Sequence, residues 1–360
     1  MKKIAIFLSF IINVNAQVLS FNGVDDNVEF IDSNGKYGFD STEDFTVEVW
    51  FLSKKTTSHN QGIFTKGYGF ESNGYTLVKY PDGTMHFSQS NKEHLISSSE
   101  IINGDWNHVA ISKKSDKLLM YLNGKKDGEL TVSNRNFGTN TYPLIMAMGN
   151  YDDAPSGEHL NGNIKEFRMW NYARTENQIL SGENEVFSAS EDGLIAYFKY
   201  NVMNTAVFYD FSINANHGKL NGAVWNFEIT SINDLIKLSQ TPNMWSSVFI
   251  QTNDIDASLS KYFDDSDDDS DGDKYNDPND LTSEGNNEGF PPIGGYNDKP
   301  SNTNPINFTG IYDGKGFLIK NLYMDREFDN LNNVGFFGKA SDATLKNINL
   351  VNVNIIGNNY

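Results

Sequence analysis

Residues 105–125, DWNHVAISKKSDKLLMYLNGK, constrain the fold more than any other stretch. Over 106–112, Val109 and Ile111 alternate with polar or small neighbours, the period of a strand with one buried face. The run LLMYL at 118–122 is nearly all apolar, and the charged segment 113–117 before it carries Ser115 and Asp116, both suited to a turn. Asn123-Gly124 offers a second turn, because both residues tolerate positive φ. Such a hairpin can bury one face only against another sheet. The expected architecture is a two-sheet sandwich around it.

The same texture recurs along the chain. In FTVEVWF at 45–51, Phe45, Val47, Val49 and Phe51 take one face while Thr46, Glu48 and Trp50 take the other. A short strand is expected at 18–21, and further strands at 75–80, 85–89, 128–132, 144–148, 164–170 and 194–200. Asn73-Gly74, Pro81-Asp82-Gly83, Asn103-Gly104, Asn161-Gly162 and Asp192-Gly193 punctuate them. Strands at this spacing indicate a sandwich or jelly roll. One short helix is expected at 175–180 with Thr175 as its N-cap. The length of 360 residues suits about two domains, and 38% hydrophobic content is enough for real cores.

The first sixteen residues stand apart. Lys2 and Lys3 precede the apolar run IAIFLSFIINV at 4–14, and Val14-Asn15-Ala16 has the form of a cleavage site. This is the pattern of a secretory signal peptide, too short for a membrane span. The protein is therefore expected outside the cell, secreted or on the surface. No later stretch is long and apolar enough to cross a bilayer as a helix. With no cysteine, neither disulfides nor a lipid-modified cysteine are available, so stability must come from core size or bound metal. The formal charge of −19 becomes −21 when Lys2 and Lys3 are removed. That excess opposes nucleic acid and anionic membranes, and favours divalent cations.

An ordered set of segments resembles the laminin-G-like (concanavalin A-like) jelly-roll domain of secreted proteins. They are LSFNGVDD at 19–26, residues 45–50, DWNHVA at 105–110, YLNGK at 121–125, NGNIKEFRMW at 161–170, NYARTENQI at 171–179, GLIAYF at 193–198 and DFSINANHGKLNGAVW at 210–225. The resemblance implies binding of carbohydrate or protein rather than chemistry, and often a structural calcium. Lys165 stands where the family often has an acid before the glutamate, which weakens a metal role for Glu166.

Trp106, Trp170 and Trp225 are read as core residues, with stacking on sugar rings as the alternative. His108 is read as a hydrogen-bonded structural histidine rather than a ligand. Asp25/Asp26 and Asp152/Asp153 lie in expected loops; they are weaker candidates for calcium, against a plain reading as solvated turns. The two-carboxylate E-x-D-x-x-E strand of endo-glucanases on this fold is absent. Histidines 59, 86, 94, 108, 159 and 217 form no H-E-x-x-H pair, and no G-x-S-x-G elbow occurs.

The texture changes after Trp225. SINDLIKLS at 231–239 has a capping-box pattern in Ser231 and Asp234 followed by Ile232, Leu235, Ile236 and Leu238 on one face, hence an amphipathic helix. A strand is expected over 248–257. Ile319-Lys320-Asn321-Leu322 is echoed by Leu345-Lys346-Asn347-Ile348 at an offset of 26, and short strands at such a period suggest a parallel β-helix in which asparagines could ladder. FIQTNDID at 249–256, GFPPIG at 289–294, FTGIYDGKGFLIKNL at 308–322 and VGFFG at 334–338 resemble the GLUG-repeat β-helices of secreted and surface proteins from Bacteroidetes-like bacteria. The chain stops at Asn358-Asn359-Tyr360, where another coil is expected to begin, so a longer protein is expected. The expected fold is all-β: a concanavalin A-like jelly-roll sandwich at 17–228, then the N-terminal coils of a right-handed parallel β-helix at 229–360 with the 231–239 helix as its cap.

The strongest local chemistry lies in DDSDDDSDGDKYNDPND at 264–280, with nine aspartates in seventeen residues. Asp269, Asp271, Asp273, Asp277 and Asp280 take positions 1, 3, 5, 9 and 12 of a twelve-residue loop, and Tyr275 offers its backbone carbonyl at position 7. That spacing can wrap oxygen ligands around Ca²⁺. It resembles the loops of thrombospondin type-3 and dockerin-like repeats, although Gly272 stands at position 4 and the last ligand is the shorter Asp. The alternative is a solvated acidic linker.

Together these features imply a secreted or cell-surface, calcium-using binding or adhesion protein whose jelly roll recognises a glycan or extracellular protein, with the β-helix as stalk. The alternative is the non-catalytic N-terminal part of a larger secreted polysaccharide-degrading enzyme or peptidase. Lys315 and Arg326, the candidate bases for a lyase, are too isolated to support catalysis within this stretch.

Overall fold

The computed structural model describes residues 18–54, 59–67, 73–89, 92–149, 158–182, 185–199, 207–263, 289–295, 306–326 and 334–357. Two compact units divide it, Val18–Trp225 and the residues from Asn226 on.

The first unit contains β1 (Val18–Asn22), β2 (Asn27–Phe30), β3 (Phe45–Ser53), β4 (Gln61–Lys66), β5 (Tyr75–Lys79), β6 (Met85–Ser88), β7 (Leu95–Ile96), β8 (Trp106–Lys114), β9 (Lys117–Leu122), β10 (Lys125–Thr131), β11 (Leu144–Met146), β12 (Asn161–Trp170), α1 (Glu176–Ser181), β13 (Leu194–Lys199), β14 (Val207–Asp210) and β15 (Gly218–Asn221). The hairpin at 105–125 is β8 and β9, and Asn123-Gly124 turns at φ of 50° and 78° into β10. In one sheet β12 pairs with β1 and β13 on one side and β3 on the other, and β8, β9 and β10 follow. The other sheet runs β15-β2-β11-β4-β5-β6-β7, and these strand pairings are antiparallel in both sheets. β14 pairs with β13 and with β15, so it joins the sheets.

The core lies between the sheets. Phe45, Val47, Val49 and Phe51 are all buried, as their alternation requires. Phe30 of the second sheet stacks on Phe198 of the first at 4.0 Å, and Phe64 meets Phe167 edge-on at 5.4 Å. Burying each such ring contributes about 1.5–3 kcal/mol. Helix α1 begins where Thr175 accepts from the Gln178 amide at 3.3 Å while the Gln178 side chain accepts the Thr175 amide at 2.9 Å. Strands β2, β4, β7, β14 and β15 escape the sequence pattern. β2 is only four residues long, and β4 has a bulge between Gly62 and Phe64 that breaks the period of two.

The second unit contains β16 (Val224–Ile229), whose last four residues pair within it, α2 (Ile232–Gln240), β17 (Val248–Gln251), β18 (Ile255–Asp256), β19 (Ile311–Asp313), β20 (Leu318–Lys320), β21 (Tyr323–Arg326), β22 (Thr344–Lys346), β23 (Asn349–Val351) and β24 (Asn354–Gly357). They pair as three parallel ladders: β16-β17-β19-β22, β18-β20-β23 and β21-β24. Asp234 opens α2 by accepting the Thr230 and Ser231 amides at 2.9 and 3.0 Å. The Trp245 indole donates to the Leu238 carbonyl at 2.7 Å near its end.

Two expectations change. The single strand at 248–257 is β17 and β18, separated by a corner. The 26-residue echo is not the ladder register: Tyr312 pairs with Leu345, 33 residues on, and Ile319 with Leu350, 31 residues on. Lys-Asn recurs because each asparagine turns a corner, Asn321 at φ 61° and Asn347 at φ 54°. Both asparagines also reach back to an acid: Asn321 Nδ2 donates to Asp256 at 3.1 Å and Asn347 Nδ2 to Asp313 at 2.9 Å.

Candidate functional site

The Ca²⁺ candidates Asp269, Asp271, Asp273, Tyr275, Asp277 and Asp280 lie outside the described residues, as do Asp152 and Asp153. Asp25 and Asp26 are both engaged with Asn22. The Asn22 amide donates to Asp26 Oδ2 and its Nδ2 to Asp25 Oδ1, each at 2.8 Å. Burial raises the Asp26 pKa, against the Asn22 hydrogen bond. Among the described residues no three His, Asp or Glu side chains gather as a metal site. Lys315 pairs with Asp313 at 3.0 Å.

Trp170 and Trp225 are core residues, 1% and 2% exposed. Trp106 is half-buried, with Lys165 Nζ 5.1 Å above its ring. Glu166 is held by Arg168, whose Nε donates at 2.6 Å. The outward face of β3 is not wet. Glu48 Oε1 accepts from Trp170 Nε1 at 2.9 Å and from Arg174, and Glu48 Oε2 lies 3.3 Å from His108 Nε2. His108 stacks on Trp50 at 3.9 Å, and Arg168 lies 4.3 Å above the same Trp50 ring. His108 is thus a buried structural group. The alternation located Glu48 and Trp50 on this face but not their cover, in which Ile179 of α1 packs with Ala110 and Tyr121. The two arginines at 168 and 174 beside a strand carrying Glu48 were the available signal.

A different surface gathers exposed groups, on the outward face of the second sheet. Leu77, Phe87 and Leu95 are in register and buried, so their neighbours point the other way. His86 pairs with Val78 and Ile96, and Ser88 with Thr76. Tyr80, just beyond β5, sets its ring edge-on to His86 at 3.7 Å, and exposed His94 lies 6.4 Å from His86. Ile96 is 47% exposed. Thr84 Oγ1 donates to Asp82 at 2.7 Å and lies 3.0 Å from His86 Nε2, so His86 carries its proton on Nε2. Burial, then His94, lowers the His86 pKa to about 4 against the pull of Asp82, so the ring is neutral at pH 7. His86 Nδ1 is a shielded acceptor unused among the described residues. Burial, with Glu158 and Asp82, raises the Tyr80 pKa and keeps its phenol a donor. No single motif announced this patch; three strands bring it together.

Residues 22–180 match the family model of the concanavalin A-like lectin/glucanases superfamily. The two-sheet antiparallel sandwich of the Val18–Trp225 unit fits the concanavalin A-like jelly roll of that superfamily. No curated protein sequence matches the chain. Among solved structures, a candidate carbohydrate binding protein from Bacteroides ovatus ATCC 8483 is 19% identical, with TM-score 0.47, covering 59% of this chain and 60% of its own. A SAP-like pentraxin from Limulus polyphemus is 15% identical, with TM-score 0.37, covering 51% of this chain and 92% of its own. The CBM40 of Ruminococcus gnavus IT-sialidase, bound to α2,3 sialyllactose, is 11% identical, with TM-score 0.37, covering 46% of this chain and 96% of its own. No helix among the described residues is long and apolar enough to cross a membrane.

Proposed function

We propose that the chain is a secreted or cell-surface binding protein whose jelly-roll unit takes a glycan on the outward face around Tyr80, His86, His94 and Ile96. The observation that carries this is the pairing of apolar and ring surface with hydrogen-bonding groups on the part of one sheet face that stays exposed: Ile96 and His94 are exposed beside half-buried Tyr80, Thr84 and His86. Sugars offer an apolar ring face and a rim of hydroxyls, which such a mixture suits. Matched residues 22–180 belong to a model whose superfamily includes lectins, which agrees with this role. The reading gives the chain recognition and no covalent step of its own. The leader at residues 1–16 supports export.

In the same reading, the second unit is the first part of a β-helical stalk with α2 as its cap. Its support is the in-register stacking of parallel strands, in which fully buried Tyr312, Ile319 and Met324 pair with Leu345, Leu350 and Ile355. Ca²⁺ at residues 269–280 would neutralise carboxylates that otherwise repel.

The test is a glycan array probed with the full chain and with Tyr80→Ala. Binding to a defined glycan class, weakened at least tenfold in the variant, is the expected result. Silence of the unaltered chain against glycans shifts the assignment to a protein ligand.

A further inference from the structure

Lys66 ends β4 on the core-facing side of the second sheet, in register with fully buried Tyr75 and Leu144. Its ammonium is buried, and so is the Asp32 carboxylate 2.9 Å away. Three further oxygens surround it: Asn140 O at 3.1 Å, Asn140 Oδ1 at 2.9 Å and Tyr142 O at 2.5 Å. Asp32 also accepts the Lys36 and Tyr37 amides at 2.6 and 3.2 Å, and Asn140 Oδ1 accepts the Tyr142 amide at 3.1 Å. Two loops far apart in sequence are therefore gathered on one positive charge. The lysine stem reaches it past Gly138, where a Cβ would lie 2.6 Å from Lys66 Cγ.

One carboxylate, one side-chain amide oxygen and two backbone carbonyls make a donor set suited to a hard cation. An ammonium is a compact point charge that such oxygens can share. We propose that this is an internal cation site whose cation is permanently supplied by Lys66, so that the chain rather than a dissolved ion sets the loops at 32–37 and 138–142. The cage carries one negative charge, which the tethered ammonium balances. Cutting the tether while leaving space would open a site for a small alkylammonium ion.

Lys66→Ala removes the atoms of n-propylammonium, so that ion is the probe. In the full chain the variant is expected to melt about 10 °C lower, because a buried carboxylate loses its partner. Millimolar n-propylammonium should recover much of the loss saturably. n-Propanol should not, and the unaltered chain should not respond. Lys66→Met keeps the stem and fills the space, so it should melt low and resist recovery. Should Lys66→Ala be obtained only as aggregate, the same additions are made during refolding, and propylammonium alone should raise the yield. An unchanged melting point in Lys66→Ala, equal recovery by propanol, no recovery by the ammonium, or equal recovery of the Met variant overturns the assignment.

Discussion

Glu48 accepts the indole N–H of Trp170 at 2.9 Å on a sheet face covered from solvent, where it also faces Arg174 and His108. Glu48→Gln preserves shape and removes the charge, leaving the buried Arg174 guanidinium without its counter-ion. Breaking a buried pair from one side costs about 3–5 kcal/mol. Urea unfolding should show that loss as a lower midpoint with an unchanged m-value. A loss below about 0.5 kcal/mol would mean that Arg174 draws its compensation elsewhere.

The same carboxylate sets an acid limit. Burial by itself would raise the Glu48 pKa, but His108, Arg174 and Arg168 outweigh it and hold the group below its ordinary value. On acidification the unfolded chain therefore takes up this proton first. The stability that Glu48 contributes is complete above the ordinary glutamate pKa, about 4.3, and is lost as pH falls through the lower folded value. Stability measured from pH 6 downward should fall more steeply in the unaltered chain than in Glu48→Gln. Parallel curves would refute the assignment.

His86 works in a higher window. Its folded pKa is lowered to about 4, whereas an unperturbed histidine titrates near about 6.5. Between those values the unfolded chain binds the extra proton, so stability rises with pH across that interval. Because the folded ring stays neutral, glycan affinity at this face should be flat from about pH 5 to 8 as far as His86 is concerned. Ring-proton NMR titration measures it directly, and a midpoint near that of free histidine would reject the environment described for His86.

Calcium binding at 269–280 has its own test. Calorimetric titration of the full chain should give heat that Asp271→Ala and Asp273→Ala each reduce, since both remove oxygen ligands. Heats that the substitutions leave untouched would assign the segment to a solvated acidic linker instead.

Local chemistry was legible in the sequence wherever one residue decides it. Thr175 with Gln178 marked α1, Ser231 with Asp234 marked α2, and the alternation at 45–51 gave the core face of β3. β4 was not legible, because Ile63 and Phe64 are adjacent across a bulge. The burial of Glu48 depends on a cover supplied more than a hundred residues later. Lys320-Asn321 and Lys346-Asn347 looked like a repeat because corners need residues that accept positive φ, and that demand recurs out of step with the ladder. Tyr80, His86 and His94 carry no shared motif; pairing of β5, β6 and β7 is what brings them near one another.

Gly62 shows how closely a neighbouring segment lies on the sheet that carries the proposed face. A Cβ there would fall 1.8 Å from the Gly149 nitrogen and 2.2 Å from the Met148 carbonyl carbon, both backbone. The Glu158 carbonyl accepts the Gly62 and Gly149 amides at 2.7 and 3.0 Å, and the Ala147 amide donates to Ile63 at 2.8 Å. Gly62→Ala must therefore displace this backbone, at a cost of about 1–3 kcal/mol. Gly104→Ala is the comparison: its φ of +87° carries backbone strain, but nothing lies within 4 Å of the added atom. Gly62→Ala should thus melt lower than Gly104→Ala and speed hydrogen exchange at the Ala147 and Gly149 amides, while Gly104→Ala leaves those amides protected. Equal protection in the two variants would mean that the segment yields without losing its hold on the sheet.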